Sequence, residues 1–299
     1  MSACKKYYLP KRLQYDQLLF SEQDPENNAK ILLDFYNKRL KLLEYNSLNL
    51  AGLDNLLLKT AMKHNLEKVL ITASVDDWEN FLSQGYVLEC LNKFYFSGKP
   101  GFHMSKFLSA SRRQSSNPAE ADRILQMVLQ KSVTIPHALP EGYTVRPCRD
   151  EDIPAMVQLF TRVFSTYPSP VYDPAYLFQT THTNSYYLLL INDRKQIVSI
   201  ISAEINKRYS NAEVTDCSTL PEYRGKGFMS ALLAALEKEI KKRGITNLYS
   251  IARATSPGIN TVLRRHDYTY GGRFIKNCNI SGGFEDMNLW FKQLNHWQY

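Results

Sequence analysis

The run from Asn211 to Leu233 constrains this chain more than any other. NAEVTDCST reads as a β-strand, LPEYRGKG as a basic turn with two glycines, and the residues from Phe228 as an apolar-faced helix. A turn of this kind points backbone N–H groups outward at the positive end of a helix, which makes a cradle for an anion such as a pyrophosphate. Gly225 and Gly227 allow close approach to the main chain, and Arg224 and Lys226 add charge at the rim. Met229 and Ser230 extend the candidate binding set into the first helical turn. The run holds neither a Walker A spacing nor the Gly-x-Gly-x-x-Gly dinucleotide fingerprint.

The chain has 299 residues, enough for one large domain or two ordinary ones, and 37 Lys plus Arg against 29 Asp plus Glu give a net charge of +8. That excess suits a polyanionic ligand. It would also suit nucleic acid, but no RNP, zinc-finger or helix-turn-helix pattern is present, so no nucleic-acid partner is expected. No apolar run reaches membrane-spanning length, and MSACKKYYLPKRLQY has no signal-peptide core, so no membrane partner is expected. Cys4, Cys90, Cys148, Cys217 and Cys278 lie far apart and form no Cys-x-x-Cys pair. Reduced thiols in a cytoplasmic protein fit this pattern. His266 has no partner at metal spacing, and no metal is expected.

Three stretches organise the chain: an N-terminal region over 1–108, a serine-rich linker and helix over 109–140, and a third region over 141–299. In the last, the pattern predicts a strand over 143–147, a helix over 151–164 and a loop, TYPSPVYDP. A hairpin (185–191 and 196–205), a strand over 212–220, the basic turn and a helix over 228–243 follow. A strand over 248–254, a helix from Ser256-Pro257 to about His266, and strands over 268–274 and 280–291 complete the order. There is also an internal echo. KVLITASVDDWENFLSQGYVLE (68–89) runs strand, helix, strand as NLYSIARATSPGINTVLRRHDYTYGG (247–272) does, and a helix over 53–64 would parallel 228–243. Either the N-terminal half is a decayed half-copy of the same unit, without a glycine-rich turn and hence without a cofactor, or two αβ units look alike by chance.

Arg224-x-x-Gly227 after a strand resembles motif A of the GCN5-related N-acetyltransferases, with Met229 standing where Gly or Ala is usual. The element order over 141–299 is similar to that family as well. The resemblance implies an α/β (α+β) fold: a mixed, mostly antiparallel sheet flanked by helices, here with an N-terminal degenerate half-copy. It also implies acetyl-CoA as co-substrate, with the main chain at Cys217 and Thr219 pairing the pantetheine arm like an added strand. Asn260 matches an asparagine that contacts the cofactor. Glu213, eleven residues before Arg224, matches the family's general base. Asp216 is the alternative base or a binder of the substrate ammonium. Regular alternation puts 213, 215, 217 and 219 on one face and 214, 216 and 218 on the other, unless a bulge intervenes. The tyrosine that protonates the leaving thiolate in relatives falls at Leu263, so Tyr268 is the nearest candidate acid, with Tyr270 beside it. Cys217 reads as a small hydrophobe, not a nucleophile.

AEVTDCSTLPEYRGKG, LYSIARATSPGIN and DYTYGGRFIKNCNISGGFEDMNLWFKQL together resemble the beta-lysine N-acetyltransferases, and LITASVDDWENFLSQGYVLE and GFHMSKFLS carry the likeness into the N-terminal half. That resemblance implies transfer of acetyl from acetyl-CoA to the side-chain amine of beta-lysine, an osmolyte product, and a lysine 2,3-aminomutase as pathway partner. Glu204, Glu213, Asp216, Glu285 and Asp286 supply negative charge for such a dicationic acceptor, with Glu204 and Asp216 the leading substrate-binding candidates. A homodimer is compatible with the sequence. Other small amines, a protein lysine, or a non-catalytic acyl-CoA-binding role remain open; Met229 and Leu263 favour the last, and the offset of Glu213 opposes it.

Overall fold

Strand-forming runs with period-two burial alternate with short amphipathic helices along most of the chain. The computed structural model describes residues 5–6, 16–24, 27–134 and 139–294. Its N-terminal half contains β1 (Lys5–Lys6), β2 (Asp16–Asp24), β3 (Asn27–Asp34), β4 (Arg39–Ser47), α1 (Leu50–Lys63), β5 (Lys68–Ala73), α2 (Trp78–Ser83), β6 (Val87–Phe96) and β7 (Lys99–Phe107). Helix α3 (Pro118–Leu129) bridges to β8 (Tyr143–Pro147), α4 (Ile153–Val163), α5 (Pro174–Thr183), β9 (Ser185–Asn192), β10 (Ile197–Asn206) and β11 (Asn211–Thr219). Then come α6 (Phe228–Lys242), β12 (Asn247–Arg253), α7 (Pro257–Arg265), β13 (Thr269–Ile280) and β14 (Gly283–Gln293).

All fourteen strands join one sheet, ordered β1-β2-β3-β4-β5-β7-β6-β13-β14-β12-β11-β10-β9-β8. Each half has a single parallel neighbour pair, β4 with β5 and β11 with β12, and a helix makes each crossover. The order reads the same from either end: α1 and α2 occupy the places of α6 and α7. One difference is decisive for binding. The Asn49 side chain fills the N-terminus of α1 by accepting from the Gly52 amide at 2.8 Å, so that turn offers no open cradle.

The halves meet at β6 and β13, where Gly272 lies opposite Cys90. A Cβ on Gly272 would stand 2.3 Å from the Glu89 carbonyl oxygen, and one on Gly271 would stand 2.5 Å from that of Leu91. The seam closes only because both positions are glycine. Past it, β13 loses register between Phe274 and Cys278. N-terminal side chains supply partners to the freed main chain. Lys68 donates to the Ile275 carbonyl (2.8 Å) and Arg112 to that of Lys276 (2.7 Å), Arg39 donates to that of Asn277 (2.9 Å), and Glu89 accepts from the Ile275 amide (2.7 Å). Arg112, within the serine-rich stretch, is almost wholly buried and stacks on Phe284.

Separate cores lie on the two faces of the sheet. Helices α1 and α2 cover Leu33, Leu40, Val69 and Met104 in the N-terminal half, and α3, α6 and α7 cover Val198, Val214, Leu248 and Trp290 in the other. Helices α4 and α5 pack on the opposite face of the second half, against Tyr187, Leu189 and Ile200. Helix α5 falls where a loop running straight into a strand was expected. Asp173 caps it by accepting from the Ala175 amide, and Pro174 starts it, but only Leu177 is fully buried, so an apolar stripe is missing from the sequence.

Candidate active site

Strands β11 and β12 pair only from Asn211 to Glu213 on one and from Asn247 to Tyr249 on the other. The Ser250 hydroxyl then donates to the Val214 carbonyl (2.8 Å), and the strands part. From Thr215 to Thr219 the β11 edge facing β12 has no register partner, which leaves main-chain groups for an extended ligand. The parted strands open into a cavity of about 2410 Å³. Ordinary small-molecule sites take ~300–1,000 Å³, so there is room for a long co-substrate and an acceptor together.

At one end of the cavity lies the basic turn. Gly225 and Gly227 have φ of +78° and +79°, and a Cβ on either would meet nothing within 4 Å. The first helical bond of α6 runs from the Ala231 amide to the Gly227 carbonyl. No side chain caps the helix, so the amides of Phe228, Met229 and Ser230 face the opening. Arg224, Lys226, Met229 and Ser230 line it. The Ser230 hydroxyl is engaged by His266 Nε2 at 2.6 Å, which leaves its main chain for a ligand. Burial lowers the His266 pKa to about 4, so that ring is neutral.

At the fork sits Glu213. It lies opposite Glu204 on β10 and Tyr249 on β12. Burial, followed by the neighbouring Glu204 charge, pushes its carboxyl up to about 7, while Lys41, the Tyr249 hydroxyl and Arg39 pull the other way. Glu204 is exposed, lines the cavity and accepts from Asn184 at 3.1 Å.

Alternation fails at Asp216. The β10–β11 register slips between Ile200 and Ser202, and Asp216 takes φ +51°, so a β-bulge interrupts the strand. Ser202 pairs Thr215 and Tyr187, and Glu204 pairs Glu213, which places these side chains on the face of α4 and α5. Asp216 Oδ2 accepts from the Tyr187 and Ser202 hydroxyls on that same face, each at 2.8 Å. The bulge therefore brings Glu213 and Asp216 to one face, against the regular-strand expectation. It turns Cys217 toward the α6 core, where burial, followed by the Asp216 charge, holds its thiol far above the usual range and hence neutral. Thr219 bonds Ser199 at 2.7 Å, and its carbonyl accepts from Arg224.

Other expectations are corrected. Tyr268 is fully buried in the α6–α7 core beside Glu237 and does not itself line the cavity, although Cys217, which does, lies close enough to act on it electrostatically. Asn260 is also fully buried. Its amide donates to the carbonyls of Arg253 (2.9 Å) and Ser256 (2.7 Å), and its oxygen accepts from Asn288 and Trp290. All its bonding capacity holds α7 to the sheet, so it contacts no ligand. Glu285 accepts from Thr255, and Asp286 from Ser115 and the Lys276 amide, both outside the cavity. Asp216, the alternative base, spends one oxygen on two hydroxyls.

Three tyrosines in the site escaped the sequence reading. Tyr249 follows from the parallel β11–β12 register, and Tyr187 from the β9–β10 pairing. Tyr167, in the loop before α5, lies against Asp216 and Thr215, and burial, with Asp216 next, raises its pKa well above 10. Among the described residues, no group of three or more His, Cys, Asp or Glu is placed to hold a metal, and no helix is long and apolar enough to cross a membrane.

A carboxyl raised to about 7 lies beside an unpaired strand edge and an open helix N-terminus, an arrangement suited to acyl transfer from a phosphate-bearing thioester. Residues 153–262 match the model of the Acetyltransferase (GNAT) family. The N-acetyltransferase YodP of Bacillus subtilis is 38% identical over 262 residues, 87% of this chain and 94% of that protein. Two proteins named beta-lysine N(6)-acetyltransferase are also similar. That of Methanosarcina mazei is 37% identical over 70% of this chain and 85% of its own. That of Methanococcus maripaludis is 34% identical over 76% of this chain and 82% of its own. The chain belongs to the GNAT family and is an acetyl-CoA-dependent N-acetyltransferase. The residues present fit that co-substrate: the free amides of α6 suit its diphosphate, and the open edge of β11 suits its pantetheine arm.

Proposed function

We propose that the acceptor is the side-chain amine of beta-lysine, acetylated by direct attack to give Nε-acetyl-beta-lysine. The observation that carries this reading is Glu213, a half-buried carboxyl raised to about 7 at the fork that leads to the cradle. An alkyl ammonium titrates near ~10.4, so attack at neutral pH needs a base to take its proton. Glu213 fills that role. Glu204 holds the cationic acceptor nearby. Asp216 positions Tyr187 and Tyr167 at the bulge, and Tyr167 is the hydroxyl closest in kind to a proton donor for the leaving thiol. Acetyl-CoA supplies the activated acetyl thioester. The two relatives that carry the beta-lysine name support the choice of acceptor.

In the same reading, residues 141–299 form the catalytic unit, 109–140 a linker and helix, and 1–108 a degenerate copy of the catalytic unit that lacks a cradle. The product is a compatible solute made in the cytoplasm, and a lysine 2,3-aminomutase supplies the acceptor.

The test mixes the purified chain and acetyl-CoA with beta-lysine, lysine, ornithine and spermidine, and follows release of free thiol. Turnover concentrated on beta-lysine is the expected result. Equal turnover of spermidine would move the acceptor to the polyamines. Coenzyme A binding without thiol release would remove the catalytic reading.

A further inference from the structure

The cavity is not built by the catalytic half alone. Part of its wall comes from the N-terminal half, where the half-buried Lys30, Leu32 and Lys41 and the buried Asp34 and Arg39 alternate along β3 and β4 with the core residues Ile31, Leu33 and Leu40. The wings are tied together at their rim. The Tyr209 carbonyl accepts from the Ser97 amide at 2.8 Å, Asn211 donates to the Tyr95 carbonyl at 2.6 Å, and Arg208 pairs with Glu44.

The charges on this wall are not equivalent. Lys30 is paired with Glu44 at 3.4 Å and Arg39 with Asp34 at 2.6 Å. Lys41, half-buried, forms no hydrogen bond or ion pair with a described residue, although it lies near enough to Glu213 and Asp34 to depress the pKa of both. Lys41 thus lines the cavity and acts on Glu213 and Asp34 without direct contact to either, while the diphosphate has its own cradle in the turn at Arg224–Met229. Lys41 also opposes an acceptor that carries only positive charge.

We propose that Lys41, delivered by the N-terminal half, binds the carboxylate of the acceptor and so makes the enzyme select diamino acids over diamines and polyamines. The acceptor then spans the cavity with its cationic end at Glu204 and Glu213 and its carboxylate at Lys41. This inference rests on the amine-acetyltransferase reading above and adds the second half of the recognition. It also gives the cradle-less half a task that its own turn, closed by Asn49, cannot perform.

The experiment compares beta-lysine with 1,4-diaminopentane, which has the same two amines and no carboxylate, in the wild type and in Lys41→Met and Lys41→Arg. Measured at about pH 9, where Glu213 is ionised with or without the Lys41 charge, loss of a charge-assisted bond predicts that Lys41→Met lowers kcat/KM for beta-lysine about tenfold or more, chiefly through KM. Under that condition the loss for the diamine is about tenfold or more smaller than the loss for beta-lysine, and Lys41→Arg recovers most of the difference. Calorimetric titration with coenzyme A, unchanged in all three proteins, shows that the cradle and fold are intact. An unchanged ratio between the two acceptors in Lys41→Met, or an equal loss for both, overturns the proposal while leaving the acetyltransferase reading standing. If the wild type prefers another diamino acid, the acceptor identity fails, and the same comparison with that acid and its decarboxylated amine decides the role of Lys41. Turnover confined to acceptors without a carboxylate overturns it.

Discussion

In the proposed mechanism Glu213 combines two roles that pull against each other. Burial and the facing Glu204 keep it protonated to about pH 7, and that same poise suits it to accept a proton from an ammonium. The rate with a saturating acceptor is expected to rise through about pH 7 in the wild type. Glu213→Gln should lose about 100-fold or more in kcat and should lose that inflection too, while coenzyme A affinity is unchanged; a pH–rate profile checks this. Linkage fixes a second sign. The folded state holds this proton up to about 7, whereas the ordinary value is 4.5, so the unfolded chain binds fewer protons in that window and stability falls as pH rises through it. Urea titrations at pH 5 and pH 8 should show a smaller drop in Glu213→Gln than in the wild type. Asp216 is the opposite case, a carboxylate consumed by structure. Asp216→Ala leaves the Tyr187 and Ser202 hydroxyls buried without their acceptor and should cost about 3 kcal/mol or more, read as a shift in the urea midpoint.

At the scale of elements, the strand–turn–helix unit suits the co-substrate because its ends are left unfinished. The turn glycines hold positive φ with open space where a side chain would stand, so that space is available to the phosphates. Gly227→Val fills it. It should raise the acetyl-CoA KM about tenfold or more while costing only about 1–2 kcal/mol of stability, the price of a left-handed backbone on a branched residue. Titration with coenzyme A and a thermal melt separate the two effects. This unit was legible in the residues because the turn chemistry, the following apolar helix and the preceding alternation agree. The bulge in β11 was not. A bulge has no side-chain signature in DCST, and it arises from how β10 and β11 align over several residues. The same reasoning explains Asn260, which the resemblance matched, and Tyr268, the nearest hydroxyl to the family position occupied by Leu263: packing turned both inward.

The whole molecule is a single sheet whose two wings share one cavity, and the closeness of β6 to β13 sets the geometry between them. Gly272→Ala places a methyl against the Glu89 carbonyl and should destabilise by about 2–3 kcal/mol, as forced overpacking does. Because the seam also orients the wall bearing Lys41, the acceptor KM should rise more than the acetyl-CoA KM; steady-state kinetics on the folded variant at low temperature check this. The internal echo over 68–89 and 247–272 was visible as a repeated pattern, and the strand order now places both segments at matching positions in the sheet.

The sequence by itself determined the local matters: most of the strands and helices of the C-terminal half, and where the basic turn lies. Those properties depend on neighbours along the chain, through periodicity and turn chemistry. Only the tertiary structure decided which face Asp216 takes, which tyrosines reach the site, and that Lys41 from the far half lines the same cavity as Glu213. These depend on strand register and on the seam between the wings, and both arise from contacts between residues far apart in the chain.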